Sequence, residues 1–153
     1  MAGTPERPGH HVFGQAPART SRGGCGYCAP PAARRCAPIA HDFRVMRADR
    51  GYWCLPEADI NIPFTPGMAA LIQSRLTPQT AHEAMLTARR YGGSDAAAAG
   101  IVDQVAGEDA VHSTAIKIAQ AQMNKAGDTL GTIKARMYVQ ALATLRDTTN
   151  PLG

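Results

Sequence analysis

The sequence lacks any apolar run long enough to cross a bilayer. A membrane-spanning helix needs about 20 consecutive, mostly apolar residues, and the apolar stretches of this 153-residue chain are much shorter. The first residues also lack the positively charged segment followed by an apolar segment that marks a secretory signal. We therefore expect a soluble chain with no membrane span and no secretory signal.

The chain from Asp42 onward lacks net charge. The formal charge of +4 arises in residues 1–41, where five arginines stand against one acidic residue, Glu6. The rest of the chain carries equal numbers of basic and acidic side chains. A nucleic-acid-binding surface requires a basic excess, so we expect no nucleic-acid partner for this part of the chain.

Residues 1–41 are rich in residues that interrupt regular structure. They hold 6 of the 11 prolines and 6 of the 15 glycines, and neither a helical nor a strand period runs through them. We predict a disordered arm over residues 1–41. Since the chain is long enough for one ordinary domain with its own core, we predict a single domain over residues 42–153.

Three other interpretations of the arm are open. Cys25, Cys28, Cys36 and His41 form a possible four-ligand zinc set, because the first two cysteines have the spacing of a ligand pair. Reduced thiols that bind no metal are the expected alternative. The arginine-rich, acid-poor composition also fits an organelle transit peptide. Finally, the abundant Gly, Ala, Arg, Pro and Cys are encoded by GC-rich codons, so the arm is also explained by a frame error or an alternative start.

Short strands are predicted after the arm. Alternating polarity indicates a strand at Phe43–Met46, and Gly51–Cys54 has the composition of a second. The segment Ile101–Val105 is β-branched and follows a helix-stopping glycine, Gly100, so it is predicted to be a strand as well.

Helix start and stop signals lie between these strands. Pro66 opens one predicted helix, and Thr77 followed by Pro78 is an N-cap with proline at the first helical position. Gly92 is predicted to end that second helix as a left-handed cap. Ser94 is predicted to cap a short alanine-rich helix.

The last two predicted helices carry apolar residues at spacings of three and four. Stripes of this kind are buried in a core or face a partner. The first comprises Val111, Ala115, Ile118, Ala119 and Met123, and the second, after the Gly127-Asp128 break, comprises Leu130, Ile133, Met137, Ala141 and Leu145. Together the elements predict an α+β fold of short strands followed by about four helices.

Three segments resemble the second half of the crotonase superfamily domain, in its order and at about its spacing. Ala40–Arg47 is similar to a helix end with an aspartate-containing turn that enters a strand. Leu55–Pro63 is similar to the glutamate turn of the family. Ser94–Val105 is similar to a small-residue helix that runs into Gly-Leu/Ile-Val-Asp-x-Val. The resemblance, to the enoyl-CoA delta-isomerase type, covers residues 40–146 and implies a partial crotonase-like fold.

The resemblance implies that Glu57 is the catalytic group. In the family a carboxylate removes an α-proton from an acyl-CoA thioester, while two backbone N–H groups hold the enolate oxygen. One carboxylate, acting as base and then as acid, moves a double bond from the 3,4 to the 2,3 position without a metal or redox cofactor. A carboxyl group that works near neutral pH needs a pKa above its usual value of about 4.3, which an apolar pocket supplies. Leu55, Ile60, Ile62 and Phe64 are predicted to line that pocket.

Hydratases of the family use a second glutamate, located just after a glycine-rich stretch that supplies the backbone donors. Between Cys36 and Asp42 this chain has no acidic residue, which favours isomerase over hydratase. The glycine-rich stretch itself is not found, so we expect the chain to be a carboxyl-terminal part of the family domain whose activity is impaired by truncation. The alternatives are a catalytically inactive crotonase-like subunit or fragment that acts through oligomer contacts, and an enoyl-CoA hydratase. For Glu57 itself the alternative is an ordinary solvated turn residue.

The resemblance also implies partners and a compartment. Acyl-CoA is the expected substrate, and a homotrimer is the expected assembly. Enzymes of this type that act on fatty acyl-CoA in β-oxidation often reside in peroxisomes. The chain ends in Pro151-Leu152-Gly153, which is not a Ser-Lys-Leu type import tripeptide, so the cytoplasm is the alternative location.

Overall fold

The computed structural model describes residues 37–147. This part of the chain is helix-rich, with two short strands and six α-helices, where the sequence predicted about four. The strands are β1 (Val45–Arg47) and β2 (Gln104–Ala106), and the helices are α1 (Pro66–Arg75), α2 (Pro78–Thr87), α3 (Gly93–Ala98), α4 (Val111–Gln122), α5 (Asp128–Met137) and α6 (Val139–Arg146). Short 3-10 turns are found at Ala37–Ala40, Glu108–Ala110 and Met123–Lys125.

Most of the predicted arm, residues 1–36, lies outside the described residues, and so do the hypotheses of disorder, a transit peptide and a frame error. Residues 37–41 are described. They contain a 3-10 turn at Ala37–Ala40, and Ile39 within it is fully buried in the core. These residues are therefore part of the folded unit.

The two strands form a parallel pair in which Val45 lies opposite Gln104 and Arg47 opposite Ala106. Parallel pairing requires a long crossover connection, and α1, α2 and α3 lie within it. Both strands start a few residues later than the sequence predicted. Ile101 instead packs into the core, where it is 1% exposed.

The predicted strand at Gly51–Cys54 is reduced to one antiparallel bridge. Trp53 N–H donates to the Tyr91 carbonyl at 2.9 Å, and Tyr91 N–H donates back to the Trp53 carbonyl at 2.8 Å. The two rings are also in contact, with centroids 5.8 Å apart. The bridge joins the segment that precedes the glutamate turn to the segment that follows α2.

Both proline-initiated helices begin where the sequence predicts. Thr65 caps α1 by accepting a hydrogen bond from Met68 N–H at 3.2 Å. Thr77 caps α2 in the same way, accepting from Thr80 N–H at 3.2 Å. These caps satisfy backbone donors at the helix start that have no partner within the helix.

The predicted end of α2 and start of α3 are wrong. Helix α2 ends at Thr87, and its C-cap, Ala88, takes the left-handed conformation with φ 49°. Gly92 has φ −65° and is the N-cap of α3, while Ser94 lies inside that helix. Alanine rarely adopts a positive φ, so the sequence contains no local signal for this helix end.

The last predicted helix is two helices, because Tyr138 leaves the helical conformation between α5 and α6. Neither glycine nor proline marks the break. The apolar stripes are only partly buried. Ala115 and Ala141 are in contact with the rest of the fold, whereas Met123, Ile133 and Met137 are 54% to 70% exposed.

The core lies between the glutamate-turn segment, α1, α2 and α3. Helix α1 passes close to α6, since a Cβ atom at Gly67 would lie 3.0 Å from Leu145 Cα. Within residues 37–147 no helix combines the length and the apolar character needed to span a bilayer. The buried apolar cluster comprises Ile39, Trp53, Leu55, Met68, Ile72, Leu76, Ala81, Ala84, Tyr91, Ala96 and Ile101.

Candidate active site

Glu57 lies in a single helical turn whose end is held by two backbone hydrogen bonds. Ile62 N–H donates to the Glu57 carbonyl at 3.0 Å, and Asn61 N–H donates to the Ala58 carbonyl at 3.4 Å. This pair of bonds, six-to-one and five-to-two, is the Schellman arrangement that ends helices. It requires a left-handed residue at its turning point, and Asn61 fills that position with φ 54°. The turn therefore fixes the backbone on both sides of the glutamate.

The Glu57 side chain is buried. It is 1% exposed, and both carboxylate oxygens are shielded from solvent. A glutamate beside proline in a turn is ordinarily solvated, and glutamate is almost never fully buried. Burying a carboxyl group disfavours its charged form, which suits a group that must take up a proton.

The segment before the turn is held by a chain of contacts that starts on α2. Glu83 on α2 accepts hydrogen bonds from Tyr91 OH and Arg89 Nη1, both at 2.8 Å. Tyr91 in turn forms the backbone bridge with Trp53, four residues before Glu57. Helix α2 thus supports the segment that enters the glutamate turn.

The same contacts change the acidity of two of these groups. The hydrogen bonds from Arg89 and then from Tyr91 lower the pKa of Glu83. Burial, followed by the hydrogen bond to Glu83, raises the pKa of Tyr91 to about 12. Glu83 is therefore charged and Tyr91 neutral at physiological pH, which are the states in which their hydrogen bond forms.

An open depression of about 290 Å³ adjoins the turn, and Glu57 forms part of its wall. The remaining lining residues are Ala58, Asn61, Ile62 and Pro63. All five belong to one segment of seven residues. Glu57 is the one acidic residue among them, and its carboxylate oxygens are shielded from solvent while the exposed surface of the depression is mainly apolar.

The four residues predicted to form the apolar pocket have different locations. Ile62 lines the depression and is 44% exposed, whereas Ile60 is similarly exposed but is not part of the lining. Leu55 is fully buried in the core, and Phe64 packs against that core while partly buried. The structure thus brings Ile62 alone of the four to the depression beside Glu57.

The sequence analysis missed three lining residues, Ala58, Asn61 and Pro63, of which Asn61 is the polar one. Its position after the glutamate, where the resembled family has a glycine or proline pattern, was a signal for a special backbone conformation. Asparagine tolerates the left-handed region better than most other side chains. Its side chain adds a second polar group to the depression.

Of the predicted zinc ligands, Cys25, Cys28 and Cys36 lie outside the described residues. His41 is described and follows the first 3-10 turn. Among residues 37–147 there is no cluster of three histidine, cysteine or acidic side chains with the geometry of a metal site. The zinc hypothesis thus concerns a part of the chain for which the structure gives no geometry.

Residues 37–150 match the family described as enoyl-CoA hydratase/isomerase. The chain belongs to this family. The match begins at the 3-10 turn that precedes β1 and runs past the end of α6. It therefore contains the buried glutamate and every lining residue of the depression.

Curated relatives are similar to the chain in sequence, and a solved structure is similar to it in fold. The chain is 29% identical over 120 residues to enoyl-CoA delta isomerase 3 of Arabidopsis thaliana, and the aligned residues cover 75% of this chain and 50% of the relative. Enoyl-CoA delta isomerase 2, peroxisomal, of the same plant is 27% identical over 105 residues, covering 65% of this chain and 44% of the relative. The crystal structure of an enoyl-CoA hydratase from Mycobacterium ulcerans superposes with a TM-score of 0.68 at 23% identity, covering 74% of this chain and 49% of that one.

These comparisons confirm the partial crotonase-like fold and the resemblance to the crotonase superfamily. The chain spans about half the length of the curated relatives it matches. Members described as isomerases and as hydratases are both among the similar proteins. The family match over residues 37–150 therefore shows the family.

Proposed function

We propose that Glu57 is the acid–base group of an enoyl-CoA delta-isomerase, which converts a 3-enoyl-CoA to a 2-enoyl-CoA in fatty-acid β-oxidation. The observation that carries this proposal is the burial of Glu57, at 1% exposure, in the wall of an open depression. The similarity to plant enoyl-CoA delta isomerases supports the same reaction.

In the proposed reaction, the Glu57 carboxylate removes a proton from C2 of the acyl chain. The electron pair of that C–H bond moves toward the thioester carbonyl, giving a dienolate. The protonated Glu57 then delivers a proton to C4, and the double bond is left between C2 and C3. No water is consumed, and the carboxylate is regenerated.

The acids of the described residues favour isomerisation over hydration. Hydration requires one group to activate water while another delivers a proton, and in the resembled hydratases the second group is a glutamate. The depression is lined by one carboxylate, Glu57. The segment Ala37–His41, where the second glutamate is expected by resemblance, contains no acid.

The proposed site needs two backbone donors for the enolate oxygen. By resemblance these come from a glycine-rich stretch that precedes the matched part, and we assign them to no residue among 37–147. Each such donor contributes a factor of about 10²–10³ to the rate. We therefore expect the rate to depend on these donors as well as on Glu57.

The test is isomerisation of a 3-enoyl-CoA by the parent chain, Glu57→Gln and Asp59→Asn. Asp59 is an exposed carboxylate two residues away in the same turn, so its substitution controls for loss of a negative charge. We expect Glu57→Gln to abolish the measurable rate and Asp59→Asn to retain it. Equal rates in the parent and Glu57→Gln would contradict the role of Glu57, and a 3-hydroxyacyl-CoA product from 2-enoyl-CoA would identify a hydratase.

A second candidate function is that of a subunit without catalytic activity. It is favoured by the apolar side chains that α4, α5 and α6 leave exposed, among them Ile116, Ile133 and Met137. We propose that these helices mediate self-association, as the expected homotrimer requires. A parent chain that is inert alone and co-purifies with a full-length homologue would support the subunit over the enzyme.

We further propose a peroxisomal location. Two of the similar plant isomerases are described as peroxisomal, and this is the support for the proposal. Co-localisation of an amino-terminally tagged chain with a peroxisomal marker tests it, and a uniform cytoplasmic signal would contradict it.

A further inference from the structure

Helix α5 differs from the other five helices in its packing. Among residues 37–147 it is the one α-helix without a buried residue. Leu130 and Lys134 are half-buried, and the rest of Asp128–Met137 is exposed. The neighbouring helices each bury one residue, Ala115 on α4 and Ala141 on α6. Burial of side chains therefore stabilises α5 less than it stabilises its neighbours.

The sequence of α5 gives the helix little stability of its own. The helix is ten residues long, and isolated helices of this length are marginal in water. Gly131 lies within it, and Thr129, Thr132 and Ile133 are β-branched, so these four residues all disfavour a helix. Its N-cap is Gly127, which has no side chain to cap it. Helix α5 therefore depends on contacts with the rest of the fold.

An ion pair joins α5 to the segment that precedes β1. Lys134 Nζ donates to Asp42 Oδ2 at 2.8 Å, although the two residues are 92 positions apart. The acceptor residue is itself held in place, since Arg75 Nη2 donates to the Asp42 carbonyl at 3.1 Å. The two side chains of the ion pair are 43% and 46% exposed. Dissolved salt therefore weakens this contact, because exposed charges are screened by ions.

The residues at both ends of α5 allow it to open separately. Gly127, before the helix, has φ 155°, a conformation that glycine adopts more readily than other residues. Tyr138, after the helix, leaves the helical conformation, and its hydroxyl accepts a hydrogen bond from Arg75 Nη1. Helices α4 and α6 can thus keep their positions while α5 opens between them.

We propose that α5 is a strap that opens as one unit while the rest of the fold stays intact, and that the ion pair between Lys134 and Asp42 is the latch that keeps it closed. Ionic strength then controls the opening. An exposed ion pair changes the equilibrium between the closed and open states by about 2- to 5-fold. None of these residues lines the depression beside Glu57, so the inference does not depend on the proposed reaction.

Hydrogen–deuterium exchange of the backbone amides measures this local opening. The parent, Lys134→Gln and Lys117→Gln are compared as full 153-residue chains, diluted until sedimentation shows monomers. We expect the amides of α5 to exchange faster than those of α1, where Met68 and Ile72 are buried. Lys134→Gln should speed the exchange of α5 by about 2- to 5-fold and leave α1 and α2 unchanged. Lys117→Gln is the matched control, since it removes the same charge from an exposed position on α4, and it should change neither rate.

A salt series is the second measurement, and it requires no change in the parent chain. Added sodium chloride should speed the exchange of α5 in the parent by about the same 2- to 5-fold factor. It should have no effect on α5 in Lys134→Gln, which lacks the latch. Exchange of α5 as slow as that of α1 would overturn the inference, because the helix would then not open separately. Equal exchange of α5 in the parent and in Lys134→Gln would overturn the latch, whether that exchange is slow or fast.

Discussion

Gly93 lies where the first turn of α3 passes the end of β1. A Cβ atom at this position would be 2.4 Å from the Arg47 carbonyl oxygen and 3.0 Å from Ala48 Cα. Both are backbone atoms, so the strand itself must move to make room. We predict that Gly93→Ala lowers the free energy of unfolding by about 1–3 kcal/mol, the usual cost of overpacking.

Gly131 is the contrasting control for this substitution. It lies within α5, and a Cβ atom there would meet nothing within 4 Å. Alanine is the better helix former, so Gly131→Ala should raise the free energy of unfolding by about 0.5–1 kcal/mol. Urea unfolding of both variants measures the two effects, and a Gly93→Ala protein as stable as the parent would show that β1 and α3 are not in close contact.

Glu83 gives the fold a pH dependence on the acidic side. Its pKa is lowered by the hydrogen bonds from Arg89 and Tyr91, so the folded state holds its proton less tightly than the unfolded state. Its stabilising effect is present above the unfolded-state pKa of about 4.3 and is lost as the pH falls through the lower folded-state value.

We therefore predict that Glu83→Gln destabilises the chain at pH 7 and that the difference from the parent shrinks toward pH 3. Urea midpoints at several pH values measure this difference. The ion pair between Glu83 and Arg89 is exposed, so salt screens it. The difference in stability between the parent and Glu83→Gln should therefore also shrink at high salt. A difference that is constant from pH 7 to pH 3 would show that the Glu83 charge contributes nothing.

The sequence located Glu57 but could not establish its environment. The motif around Glu57 is local, so it is visible in the chain as written, and the family match includes it. The segment that leads into the turn is paired through Trp53 with Tyr91, 38 positions later, and such a long-range contact is not visible in the local sequence. For the same reason Leu55 and Phe64, which neighbour Glu57 in sequence, lie in or against the core rather than along the depression.

Arg75 connects α1 to two other elements. Its guanidinium donates to the Ile39 carbonyl at 3.1 Å and to the His41 carbonyl at 2.8 Å, both in the segment that precedes β1. It also donates to Tyr138 OH at the break between α5 and α6, and its Cζ lies 5.6 Å from the centre of that ring. The planar guanidinium meets these partners at once because its donors point in several fixed directions.

We predict that Arg75→Lys lowers the free energy of unfolding by about 1–3 kcal/mol. Lysine keeps the charge but has a single ammonium group, so part of these hydrogen bonds is lost. Arg136→Lys on α5 is the control, since Arg136 is exposed, and it should stay within about 0.5 kcal/mol of the parent. Thermal unfolding measures both, and equal midpoints for the two variants would contradict a connecting role for Arg75.

The element boundaries that the sequence predicted correctly are those with a local chemical cause. Thr65 and Thr77 are N-caps next to proline, and both helices start there. Ala88 ends α2 and Tyr138 separates α5 from α6 without a glycine or a proline. At Tyr138 the contact with Arg75 is tertiary, so sequence periodicity alone could not reveal the break.

At the scale of the whole molecule, the described residues leave much of the last three helices uncovered. Helix α6 packs on α1 through Gly67 and Leu145. Ile116 on α4, Ile133 and Met137 on α5, and Val139 on α6 are all between 41% and 70% exposed. A contiguous patch of exposed apolar side chains is a common sign of a binding surface for another protein. This is consistent with the proposed self-association.

Self-association through these helices predicts a selective effect of charge at Met137. Its side chain is 70% exposed, so Met137→Glu leaves the fold of one subunit intact but places a carboxylate in the apolar surface. Burying that carboxylate in an interface without a partner is costly.

Thr132→Glu is the matched control, since Thr132 is an exposed polar residue on the same helix. We expect analytical ultracentrifugation to find oligomers for the parent and for Thr132→Glu, and monomers for Met137→Glu with an unchanged circular dichroism spectrum. If the parent is monomeric even at high micromolar concentration, its exposed apolar side chains do not hold identical subunits together. The proposed self-association would then be wrong, and the surface would be covered by a different chain or by none.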